Sequence, residues 1–113
     1  MQGSVGARWP FGKADVQTPA YAATLAVTIA DTKTILNPAI LTGAMTINLT
    51  IDSEVSAGAE LVCIIKATGT EVTTFGTGFT APTVTGVAGK NKVCNFVYDG
   101  TTFKPTAVAF QID

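Results

Sequence analysis

The sequence predicts an all-β chain: a single antiparallel β-sandwich or jelly-roll-like barrel with an extended N-terminal arm. Three observations predict it. Apolar residues alternate with polar ones, most plainly in Met45, Thr46, Ile47, Asn48, Leu49, Thr50 and Ile51, and a side-chain period of two gives a strand one dry and one wet face. Runs of this kind recur between glycine, proline and asparagine breakers at about 8 to 12 residues, the rhythm of a sandwich or barrel. No helical period of useful length interrupts them.

Residues 1–19 stand apart as the arm. They hold Gly3, Gly6, Pro10, Gly12 and Pro19 and follow neither a period of two nor one of 3.6. A segment so built does not bury its own aromatics, and exposed Trp9 and Phe11 leave apolar area that a partner recovers at about 25 cal/mol per Å². Arg8, Trp9, Pro10, Phe11 and Lys13 are therefore the candidate docking residues, because aromatics and arginine dominate interface hot spots. The alternative is that Trp9 and Phe11 fold back over the domain's own end.

The β domain takes residues 20–113. Strands are expected at 23–29 and 33–37, the second closed by the Asn37–Pro38 turn pair. Gly43 opens a strand at 44–51 that ends in Asp52, Ser53 and Glu54, and Ala57, Gly58 and Ala59 form the next corner. Residues 60–67 read as apolar on both faces, which places that strand centrally or between the core and a subunit interface. Val62 and Ile64 are its candidate oligomer contacts. Thr68, Gly69 and Thr70 read as a hairpin turn into a strand at 71–75. A glycine-punctuated loop follows at 76–82, with Phe79 turned inward as its plug. A short strand at 83–87 and a turn at Gly89, Lys90 and Asn91 lead to the last hairpin, 93–98 and 101–104, joined at Asp99–Gly100, a dipeptide suited to a type I′ turn. Pro105 limits that outgoing strand to an edge or marks a break before 107–112.

Composition narrows the function. Only 13% of residues are charged and 47% are apolar, against the usual quarter or so charged. Threonine covers part of the surface, and the surplus apolar area is expected to be hidden against other copies or another protein. Seven basic against eight acidic residues leave no clustered positive charge for nucleic acid or an anionic membrane surface. No run approaches the roughly 20 apolar residues that span a bilayer. Arg8 and Lys13 precede an alanine-rich run as in a leader peptide, but Asp15 and Pro19 interrupt it, so synthesis and retention in a cytoplasm are expected.

Chemistry is poorly provided for. There is no histidine, so a serine or cysteine nucleophile lacks its usual activating base and zinc lacks ligands. Asp52 and Glu54 sit close enough to suggest a cation, but hard cations want more oxygens than two carboxylates. Gly76 and Gly78 lack the third glycine and the helix of a phosphate loop. Cys63 and Cys94 lie inside apolar strands and are expected as reduced thiols, with a disulfide geometrically open to them if their strands pair in register. No enzyme, cofactor or metal is expected.

The order of the pieces also carries a resemblance. Leu41, Thr42, Gly43, Ala44, Met45, Thr46, Ile47, Asn48 and Leu49 give L-T-G-x-x-T-x-x-L, and Gly58 to Lys66 give G-x-x-L-x-x-x-x-K. Thr74 to Phe79 make an aromatic-glycine corner, Val87 to Lys90 the next turn, and Phe96 to Phe103 a closing F-x-Y-D-G-T-x-aromatic hairpin. Over residues 33–104 this resembles the small β module of tailed-phage virion proteins, including head fibres, capsid decoration proteins and tail-fibre segments. The resemblance implies a structural component, commonly a homotrimer, with no enzymatic activity and no cofactor. With an arm, one β domain, and neither shaft nor receptor-binding tip, the chain is expected to stud a capsid surface, its arm on the major capsid protein or another virion protein. The alternative is a tail-fibre or adhesin-like carbohydrate-binding module, using loops 52–58 and 76–82.

Overall fold

The computed structural model describes residues 14–112. Strand β1 (Asp15–Gln17) is followed by β2 (Thr24–Ile29), β3 (Lys33–Leu36), β4 (Met45–Ile51) and β5 (Glu60–Lys66). Then come β6 (Val72–Phe75), β7 (Val84–Thr85), β8 (Asn91–Tyr98), β9 (Phe103–Pro105) and β10 (Phe110–Ile112). The described residues contain no helix. Two sheets form: β9-β8-β5-β3-β1, with β10 also on β8, and β2-β4-β6-β7.

Both sheets are mixed, which corrects the antiparallel expectation and with it the jelly roll. From β1 to β6 the chain passes from one sheet to the other at every step, and β1, β3 and β5 run parallel, as do β2, β4 and β6. This is a flattened coil in which each turn gives one strand to each sheet. A turn takes 19 to 28 residues, the spans from Asp15 to its partner Thr34 and from Met45 to its partner Thr73. Antiparallel pairing enters only with β7, β8, β9 and β10.

The physical reason for the misreading is that a period of two looks the same in either direction. Parallel strands usually betray themselves by being dry on both faces, because helices cover them. Among the described residues no helix covers the outer face of the coil, so the strands alternate as antiparallel ones do. The Thr68–Thr70 turn is likewise not a hairpin: β5 and β6 lie in different sheets, and the turn carries the chain between them. Glu71 clasps it, accepting hydrogen bonds from Thr68 Oγ1 at 2.7 Å and the Gly69 amide at 2.7 Å.

One core serves both sheets. Leu25, Val27 and Ile29 of β2 and Met45, Ile47 and Leu49 of β4 meet Leu61, Cys63 and Ile65 of β5 and Cys94 and Phe96 of β8 in a single apolar cluster. Phe75, Phe79 and Phe96 stand edge to tilted face, with ring centroids 4.9 to 5.1 Å apart, the arrangement ring quadrupoles favour. Phe79 plugs the corner as its position in the loop predicts. It also bridges Phe103 across the two sheets, where the Phe103 amide donates to Gly78 O at 2.8 Å.

The segment read as arm contributes β1, which pairs in parallel with β3 through Val16 opposite Ile35. Beside Asp15 in that register lies Thr34, fully buried, whose Oγ1 has no hydrogen-bond partner among the described residues. An unsatisfied buried hydroxyl costs about 1–3 kcal/mol. Thr34→Val keeps the branched shape and removes the hydroxyl, so urea unfolding should show a gain of about 1 kcal/mol. A loss of similar size would mean that the hydroxyl is satisfied in solution.

Candidate interaction surface

The outer face of the first sheet is built by strand parity. With Leu61, Cys63 and Ile65 buried, Val62 and Ile64 face out and are half-buried. The same parity turns Val93, Asn95 and Val97 of β8 outward, because Cys94 and Phe96 go to the core. Register then lines these residues up across the sheet. One row runs Val16, Ile35, Val62 and Asn95, and the next runs Ile64, Val93 and Phe110. Neighbours in a row share a face and stand within side-chain reach.

Charges keep to the margins of this face. At one margin Lys33, Glu60, Val97 and Lys104 lie opposite one another, and Lys33 and Glu60 pair at 3.9 Å, both about half exposed. At the other margin Lys66, Asn91 and Ile112 align. An uncharged centre within a polar rim is the anatomy of a protein interface rather than of a solvated sheet. Val16 is 59% exposed and Phe110 68%, and Phe110 is the one exposed aromatic ring among the described residues.

The C-terminal edge is shaped by a register slip. Pro105 lies opposite Phe96 and Phe110 opposite Val93, so five steps along one strand match three along the other. The surplus residues bulge outward and leave Val108 91% exposed. Beneath them runs an open groove of about 490 Å³, lined by Phe75, Val84, Lys92, Cys94, Pro105 and Val108 among others.

The loops proposed for sugar contact both reach the β8–β9 hairpin. The Gly58 amide donates to Tyr98 O at 2.7 Å, and Thr80 and Thr102 hydroxyls share a hydrogen bond of 2.8 Å. The hairpin itself is closed by a side chain: Asp99 Oδ1 accepts from the amides of Thr101 and Thr102 at 2.8 and 2.9 Å, and Gly100 supplies a φ of 97°. The Lys104 ammonium, hydrogen-bonded to Asp99, does most to hold that carboxyl well below the usual carboxylate range, with help from the two amides. Tyr98 stacks on Phe103 at 5.0 Å and is partly buried against the core.

Of the sequence-predicted residues, Val62 and Ile64 lie at the centre of the outer face. Arg8, Trp9, Pro10, Phe11 and Lys13 lie outside the described residues. Asp52 and Glu54 form a local turn, with Asp52 Oδ1 accepting the Glu54 amide at 2.9 Å. Among the described residues no three acidic, cysteine or histidine side chains cluster in a way that could hold a metal ion, and no helix is long and apolar enough to cross a membrane. Val93 and Val97 were readable from the parity that sends Phe96 inward, whereas Val16, Ile35 and Phe110 needed the register.

Fold and surface together define a small all-β protein of two mixed sheets with one apolar sheet face left open among the described residues. The chain matches no protein-family model, no curated protein and no solved structure.

Proposed function

We propose that this chain is a structural virion protein of a tailed phage, a trimeric capsid decoration or head-fibre protein attached to the major capsid protein through its N-terminal arm. The observation that carries the reading is the outer face centred on Val62 and Ile64, apolar inside and charged only at its rim. The resemblance over residues 33–104 supports it, since those residues supply β3 to β9. In this reading the two sheets act as one sandwich module, and three copies pack through the outer faces of their first sheets. β1 is the strand at the far margin of that sheet, so each arm leaves from beside the packed face. Three arms held on one trimer bind far more tightly than one, because the second and third dock at high effective concentration.

The test uses the full chain, a form lacking residues 1–13, and Ile64→Glu. Light scattering at micromolar concentration should give a trimer for the first two and a monomer for Ile64→Glu, with strand structure retained by circular dichroism. Binding to phage particles stripped of this protein should occur only with the full chain. A full chain that is monomeric removes the oligomer, and undiminished particle binding by the shortened form removes the arm. Saturable glycan binding without particle binding would replace the reading by the tail-fibre or adhesin-like alternative.

A further inference from the structure

We propose that Cys63 and Cys94 are a latent cross-strand disulfide, reduced as the chain folds in a reducing compartment and closed by a small disulfide oxidant to staple the two central strands of the first sheet. The two residues are exact partners in the antiparallel ladder of β5 and β8. Both side chains go to the core, with Cys63 wholly buried and Cys94 4% exposed, so the sulfurs lie on the same side of the same sheet with no residue between them. Both are free thiols in this structure.

The ladder also fixes the kind of site. The Tyr98 amide donates to Ala59 O at 2.8 Å, and counting by twos along both strands makes Cys63 and Cys94 a hydrogen-bonded pair. Such pairs set Cα atoms about 5.5 Å apart, within the 4.4–6.8 Å range that a disulfide spans, and Cβ atoms toward 5.5 Å, so the strands must draw together by about 1 Å to reach the 3.5–4.5 Å that the bond needs. Closure therefore asks for side-chain rotation and a small strand adjustment, not for a new fold.

The groove settles the order of events. Cys94 lines the groove under the C-terminal bulge beside Lys92, while Cys63 does not. A small disulfide such as oxidised glutathione thus meets Cys94 first. The Cys94 thiolate attacks one reagent sulfur, the reagent S–S bond breaks, and one glutathione thiolate leaves and takes up a proton. Cys63 then gives its proton to water and attacks the Cys94 sulfur, and the second glutathione leaves. Two electrons pass from the cysteine pair to the reagent, which ends as two thiols. Burial raises both thiols, Cys94 to about 11 with Lys92 partly offsetting the shift, and Cys63 further. Thiolate is therefore scarce at neutral pH and the native protein reacts slowly.

The chemistry stands whichever surface the chain docks on. On a virion it would take place after release from the reducing cell.

The test treats the reduced full chain with oxidised glutathione at pH 8, both folded and during refolding from urea, followed by alkylation of remaining thiols and intact-mass measurement. Both thiols should disappear together with loss of two hydrogens and no dimer. A Cys63–Cys94 cross-linked peptide should appear on digestion, and the folded-to-unfolded ratio should rise roughly a hundredfold. Cys63→Ala should stop at a glutathione adduct on Cys94, while Cys94→Ala should stay unmodified when folded. Two alkylatable thiols after refolding in the oxidant, adducts on both cysteines, or an intermolecular dimer would overturn the proposal.

Discussion

Phe103→Ala is expected to lower the stability of the domain by about 3–5 kcal/mol, the usual cost of emptying a buried phenylalanine site. The ring is wholly buried, stacks on Tyr98, and fills the place where the edge of the first sheet meets the corner of the second. The backbone ties at this position survive the substitution, since the residue's amide still reaches Gly78 O and its carbonyl still accepts from Thr80 at 3.0 Å. What is lost is apolar burial and the dispersion contacts of a ring with neighbours on both sheets. Domains of this size hold about 5–15 kcal/mol in all, so the variant gives up about a fifth of that or more. Urea unfolding should show a lower midpoint with an unchanged slope, the sign that stability and not compactness has changed. A loss under about 1 kcal/mol would show that the neighbours collapse into the space.

Gly78→Ala is expected to cost about 2–5 kcal/mol through two separate effects. The residue has φ of 88°, a conformation that costs an L-residue about 1–2 kcal/mol. A Cβ there would also stand 2.8 Å from the Cβ of Leu49, which is buried in β4 and held by the hydrogen bond of its own amide to Thr77 O at 2.8 Å. Leu49 has no free direction in which to yield, so the core shifts, at about 1–3 kcal/mol for an overpacked site. Gly89 provides the control: its φ is 72° and a Cβ there meets nothing within 4 Å. Gly89→Ala should show the backbone part alone. Equal losses in the two variants would mean that the contact with Leu49 contributes nothing.

These two positions also mark how far the sequence could be read. Strand positions were legible because alternation survives in every one of the longer strands, and Phe79 could be assigned to the core as the plug of the glycine-punctuated loop 76–82. Leu61, Cys63 and Ile65 could be separated from Val62 and Ile64 by parity alone. Direction and partner could not. Whether β4 runs with or against β2 depends on how the connections wrap around a common core, and residues such as Asn37, Pro38 and Gly43 mark a corner without saying where the chain goes next. Val16 reads as part of an aperiodic arm because β1 is only three residues long, too short for a period to register. Phe110 needed the two-residue slip after Pro105, which nothing local announces beyond the proline. The outer face was thus visible in its centre and hidden at both ends.

The wound path of the chain has a consequence for its birth on the ribosome. The N-terminal turns can be laid down as they emerge, β3 onto β1 and β4 onto β2, each with a complete predecessor to template it. β5 waits for its long partner β8, which begins only at Asn91. A nascent polypeptide halted ahead of that point offers a bare seven-residue edge, with the groups that would bond to β8 open to any neighbouring chain. The synthesis of β8 is therefore the step at which this edge stops being open to other copies of the chain.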